Sequence, residues 1–157
     1  MDLALIVSIS ALIAAMMSAL YARKQVLVAQ SASRAQSLLS VLDYLQRADI
    51  RDSRREVLTV LADIPVSTWT DEQRATASNA SASYDLVGTL LRSSVVDRAP
   101  IIENYGASIL RCHEVCTPMI NEFRNNMGKP FARRYWKDFD WLADEARREF
   151  ENKRPLL

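Results

Sequence analysis

The sequence predicts an all-α protein: a single N-terminal transmembrane helix that continues into a cytosolic bundle of about four to five helices. Three observations carry that reading. Residues 3–22, LALIVSISALIAAMMSALYA, are uncharged and contain neither Gly nor Pro. The whole chain of 157 residues holds only three glycines and five prolines. Beyond residue 22, apolar side chains recur at three–four spacing, and alternating β-branched runs are absent. The expected organisation is a transmembrane anchor over 1–22, a juxtamembrane helix over 23–48, a helical cytosolic domain over 49–152 and a tail over 153–157.

The first segment makes about 30 Å of α-helix at roughly 1.5 Å per residue, which matches the hydrocarbon core of a bilayer. A helix satisfies its own backbone groups there. A secretory signal peptide would carry positive charge ahead of a shorter apolar run and end at a small-residue cleavage site. Here only Asp2 precedes the run, and the exit reads Leu20-Tyr21-Ala22. A buried core helix would show a polar stripe, whereas the polar side chains inside are Ser8, Ser10, Ser18 and Tyr21. Arg23 and Lys24 follow at once, and no acid lies between them and Asp43. By the positive-inside bias this pair sets the topology, with the C-terminal domain in the cytosol and the chain single-pass in the cell's inner (plasma) membrane.

Within the span, Ala4, Ser8, Ala11, Ala15, Ser18 and Ala22 fall on one lengthwise stripe. Small residues so placed let a second membrane helix approach closely, although an alanine-rich span also produces such stripes by chance. Membrane lipid and a second copy of the chain are the expected partners of this segment.

From Arg23 to about Arg47 no Gly or Pro intervenes, so the same helix is expected to enter the cytosol. Val28, Ser31, Ala35, Leu38, Leu42 and Leu45 give it an amphipathic stripe, with a bundle contact near the far end. A second helix is expected from Asp49 or Asp52 to Asp63, with Val57, Leu58 and Leu61 inward and Ile64-Pro65 as its stop. Arg47, Arg51, Arg54 and Arg55, interleaved with Asp49, Asp52 and Glu56, read as a solvated charge network.

Thr70 with Gln73 reads as a capping box opening the third helix, whose inward stripe is Ala77, Ala80, Tyr84, Val87 and Leu91. Gly88 in mid-helix marks a close contact or a bend. A fourth helix is expected from about Pro100 to Met127, with Ile102, Tyr105, Ile109, Cys112, Cys116, Met119 and Phe123 inward and a kink from Pro118. Pro130 then opens a fifth helix rich in aromatics, Phe131, Tyr135, Trp136, Phe139, Trp141 and Phe150, with helix-supporting pairs Asp144–Arg148 and Glu149–Lys153.

In this layout the chain resembles a family of bacterial proteins known as a domain of unknown function, with one N-terminal membrane helix and a compact cytosolic helical domain. The span ending in basic residues, the Asp/Arg-rich second helix, Trp69, Gly88 and the aromatic last helix with Trp136 carry the resemblance over most of the chain. It implies the fold and topology, and it implies no catalytic residues.

Chemical motifs are sparse. Cys112-His113-Glu114-Val115-Cys116 is the one suggestive cluster, but zinc takes about four ligands and the chain has no other Cys or His. Both thiols lie on the apolar stripe and read as packed, reduced cysteines, with His113 projecting off it. With one histidine and no nucleophile elbow, P-loop or dinucleotide fingerprint, no catalytic residue and no cofactor is expected. Asp138, Asp140 and Asp144 leave a carboxylate site conceivable, but an exposed acidic helix face explains them better. Lys129, Arg133, Arg134 and Lys137 could meet anionic lipid or RNA, with a solvated face as the default. A net charge of +1 gives no global field calling for nucleic acid.

The expected function is a membrane-tethered helical interaction module acting through protein contacts and self-association, its protein partner unidentified. The alternatives are a sensor or effector of a bacterial stress or phage-defence pathway, and a membrane-bound enzyme with an unrecognised carboxylate site.

Overall fold

The computed structural model describes residues 3–132 and 134–152, with the side chains at 3–11, 14, 129 and 130 outside that description. The described residues are all-α: α1 (Leu3–Gln46), α2 (Ala48–Thr59), α3 (Asp71–Arg92), α4 (Arg98–Asn126), α5 (Lys129–Ala132) and α6 (Lys137–Asn152). Two 3₁₀ turns, Leu61–Asp63 and Val66–Thr68, lead from α2 to α3. The chain divides into two compact units, Met1–Ser37 and Leu38–Leu157.

In the first unit the large apolar side chains Leu12, Ile13, Met16, Met17, Leu20 and Tyr21 are 56–67% exposed. At about 100° per residue they occupy one half of the helix surface, and Ala15, Ser18 and Ala22 share the other. Among the described residues no helix is long and apolar enough to cross a membrane. Ala4, Ser8 and Ala11 of the small-residue stripe have side chains outside the described set. Val28, Ser31 and Ala35 are exposed, so the expected amphipathic stripe is not buried over this part.

The second unit has its core between α2, α3, α4, α6 and the end of α1. Val41 and Leu45 are buried and Leu38 and Leu42 pack beside them, which places the α1 contact at the far end as expected. On α3 the predicted stripe is correct at every position: Ala77, Ala80, Tyr84, Val87 and Leu91 are all buried. The helix starts with the predicted capping box, where Gln73 N–H donates to Thr70 Oγ1 at 3.3 Å and Thr70 N–H donates to Gln73 Oε1 at 3.0 Å. Trp69 is buried ahead of it, and its indole N–H donates to Ile64 O at 3.2 Å, which fastens the α2–α3 connection. On α4, Ile102, Ile109, Cys112, Cys116 and Met119 are buried, while Tyr105 and Phe123 are partly so.

Several boundaries differ from the sequence expectation. α2 stops at Thr59, and Leu61–Asp63 is a tighter 3₁₀ turn, so Leu61 reaches the core from a turn. α4 starts at Arg98 because Asp97 caps it, its Oδ1 accepting Ala99 N–H at 3.2 Å. Pro118 lies inside α4 without ending it. The expected fifth helix is two: Trp136, with φ 49°, separates α5 from α6. A tryptophan in the left-handed region is a strained residue, and helical hydrogen bonding cannot run through it. Its aromatics part company as well: Phe139 is fully buried and Trp136 nearly so, whereas Phe131 and Phe150 are exposed. On α6 Arg147 pairs with Asp144 and Arg148 with Glu145, three residues apart, instead of Asp144 with Arg148, and Lys153 of the expected Glu149–Lys153 pair lies outside the described residues.

Candidate functional site

Two polar clusters stand out in the second unit. The first is built at the N-terminus of α6, whose opening N–H groups have no partner within their own helix. Asp85 of α3 supplies one: its Oδ1 accepts the N–H groups of Asp138 and Phe139 at 2.9 and 3.0 Å. Asp85, Gly88, Thr89 and Arg92 form one stripe of α3 by three–four spacing, and each serves this junction. Thr89 Oγ1 donates to Asp138 Oδ2 at 2.8 Å, and Arg92 donates to Asp138 Oδ1. Gly88 admits the backbone, since a Cβ built there would lie 2.2 Å from Asp138 O.

From the other side, α4 holds the next carboxylate. Asp140 Oδ1 meets His113 Nε2 at 3.0 Å, and Arg124 donates to Asp140 Oδ2 at 2.6 Å. Arg124 Nε and Nη2 also donate to Tyr135 O at 3.0 and 2.8 Å, bracing the turn that holds Trp136. The His113 ring stands edge-on to Phe139, with centroids 5.1 Å apart.

Burial would raise the Asp138 carboxyl, but the Thr89 hydroxyl and the Arg92 guanidinium outweigh it and hold the group below the usual carboxylate range. Asp140 behaves alike, with His113 and Arg124 outweighing burial. Asp85 goes the other way. Burial pushes it up, its two backbone N–H donors oppose that, and the charges of Asp138 and Asp140 add to the rise.

Chemically this junction ties the start of α6 to α3 and α4 through the carboxyls of Asp85, Asp138 and Asp140. Asp138 and Asp140 are held ionised against cations, whereas Asp85 is the raised carboxyl of the junction and accepts two backbone N–H groups. Among the described residues no hydroxyl or thiol is hydrogen-bonded to the His113 ring, and no group of three Asp, Glu, His or Cys side chains could hold a metal ion. The expectation of an exposed acidic face is corrected for Asp138, which is buried, and for Asp140, which is partly buried, because arginines from α3 and α4 cover them; Asp144 is exposed.

The second cluster lies deeper. Arg51 and Arg55 of α2 are exposed and pair with Asp52, and Arg47 pairs with Asp49, as a solvated network should. Arg54 does not follow them. It is only 6% exposed, and its guanidinium carbon sits 5.7 Å from the Tyr84 ring centroid and 5.5 Å from that of Tyr105. Tyr84 OH donates to Ser108 Oγ at 2.8 Å, and Gln46 Nε2 donates to Tyr105 OH at 2.6 Å. Cys112 belongs to the same neighbourhood, its thiol pushed up to about 12 by burial first and the Cys116 thiol next.

Of the four arginines expected in a solvated network, Arg54 alone is turned inward. The available signal was the i, i+3 and i, i+4 relation of Arg54 to Val57 and Leu58, which puts it on the apolar side of α2.

Of the remaining candidates, Cys112 and Cys116 are free and fully buried on the α4 stripe, and burial lifts the Cys116 thiol to about 11. In the basic cluster Arg134 and Lys137 are exposed, while Arg133 and the Lys129 side chain lie outside the described residues. Arg23, Lys24, Ala15, Ser18 and Ala22 are exposed on α1.

Residues 2–146 fit the model of a family described as Domain of unknown function (DUF4760). No curated protein and no solved structure matches the chain.

Proposed function

We propose that this chain, which belongs to the DUF4760 family, is a membrane-tethered helical module that works through protein contacts. The observation that carries the reading is the run of exposed large apolar side chains from Leu12 to Tyr21, continuing an uncharged stretch that begins at Leu3. Exposed apolar surface of that extent calls for lipid or another apolar helix. Arg23 and Lys24 at its end favour retention of the C-terminal domain in the cytosol, at the inner (plasma) membrane. The small-residue side of the same helix supports self-association as the module's simplest protein contact.

The experiment combines extraction with labelling. Alkaline carbonate should leave the full chain in the membrane pellet, and deletion of residues 3–22 should release it. A cysteine at Asn152, in a chain with Cys112 and Cys116 replaced by Ala, should resist a membrane-impermeant thiol reagent in intact cells. Release of the full chain by carbonate overturns the anchor, and ready labelling overturns the orientation.

A further inference from the structure

The geometry points to an oxyanion-binding site at Arg54, taking the carboxylate or phosphate group of a small molecule between α2, α3 and α4. Arginine is rarely buried unless it is paired, because a guanidinium taken out of water needs acceptors for its N–H groups and a counter-charge. Arg54 is 6% exposed, its Nη1 is buried without a hydrogen-bond acceptor, and it takes part in none of the ion pairs among the described residues. The rings of Tyr84 and Tyr105 attract the cation but offer Nη1 no acceptor at centroid distances of 5.7 and 5.5 Å.

Two neighbours that might ionise to balance it are held neutral. Burial pushes the Tyr84 phenol far up, and the Cys112 thiol rises to about 12. The cluster is therefore a buried cation with a donor left over. An oxyanion meets both needs, through a charge-assisted hydrogen bond to Nη1.

Tyr105 OH accepts from Gln46 Nε2 at 2.6 Å and so keeps its own O–H to donate. Gln46 is exposed and Tyr105 half-buried, so this side of the cluster is the one nearest solvent. One unsatisfied buried donor suits a single oxyanion group and not a polyphosphate. The site is separate from the α6 junction, where each of the cations Arg92 and Arg124 already has its carboxylate.

The test is thermal unfolding of the full chain in detergent, with acetate or inorganic phosphate replacing chloride at matched ionic strength. At a probe concentration about a hundredfold above its Kd, Tm should rise by roughly 5–10 °C. The two arms tell a carboxylate site from a phosphate site. Phosphate also stabilises folded proteins in general by exclusion from their surface, so the readout is the difference between variants. Arg54→Met should lose the response, Arg54→Lys should keep a weaker one because it lacks the planar fork, and Arg51→Met on the exposed face should keep all of it. A parent chain that responds to neither anion overturns the site, as does an equal response in Arg54→Met. Should Arg54→Met not fold, Arg54→Lys against Arg51→Met decides, and equal responses of the two overturn the site.

Discussion

At the scale of single residues the two described helical glycines make opposite demands. Alanine in place of glycine gains about 1 kcal/mol of helix propensity at either. At Gly88 the new Cβ would meet the Asp138 carbonyl at 2.2 Å, a backbone atom fixed at the start of α6. At Gly106 it would meet Phe150 Cε2 at 2.8 Å, the far end of an exposed side chain that can swing away. Overpacking against an immobile neighbour costs about 1–3 kcal/mol or more, and this exceeds the propensity gain. Gly88→Ala should therefore lower stability by about 2 kcal/mol, while Gly106→Ala should stay within about 1 kcal/mol of the parent in either direction. Urea unfolding of both variants checks the contrast, and equal effects would show that α3 and α6 are not in this close contact.

At the scale of the element, α6 is fastened at its first turn by charge. Asp138 and Asp140 have folded values below the usual carboxylate range, so the stability they contribute is complete above about pH 4 and is lost as pH falls through the folded values. Asp85 is raised, so its protonated form is favoured in the folded chain and its share runs the opposite way, improving as pH falls through its folded value. Two lowered groups held by arginine and histidine against one raised group leave a net loss on acidification. Asp138→Asn should cost stability at pH 7 and flatten the slope of stability against pH below about 4. Thermal melts across pH 2–7 measure both, and an unchanged acid slope would remove Asp138 from the account. The Arg92 partner is 45% exposed, so part of the pairing is screened and the loss should shrink in high salt.

At the scale of the whole molecule, the proposed anchor gives the chain a second contact besides lipid. Ala15, Ser18 and Ala22 lie on one side of α1, and Leu20 lies about 140° round the helix from Ala15 at roughly 100° per residue. If two copies meet along the small side, a leucine there separates the backbones, whereas trimming a lipid-facing leucine changes little between copies. Ala15→Leu should weaken association in vesicles, and Leu20→Ala should leave it near the parent value. Energy transfer between differently labelled copies measures both. A monomeric parent, or equal responses, would reduce the segment to a simple anchor.

The sequence by itself determined the helical class, the uncharged first segment, the Thr70 capping box and the buried stripes of α3 and α4. All of these follow from spacing along one helix, where a residue's face is fixed by its number. The tertiary structure decided what depends on a second helix. Gly88 was legible as a contact or a bend, but only the approach of α6 made it a contact. Asp138 and Asp140 carried the same sequence signal as the exposed Asp144, and the arginines of α3 and α4 separated them. At the break beside Trp136, Arg124 of α4 reaches across to the carbonyl of Tyr135. Arg54 looked like its neighbours until Tyr84 and Tyr105, about 30 and 51 positions away, closed over it. Burial of a charge is a property of what packs against it, and that is set by residues distant in sequence.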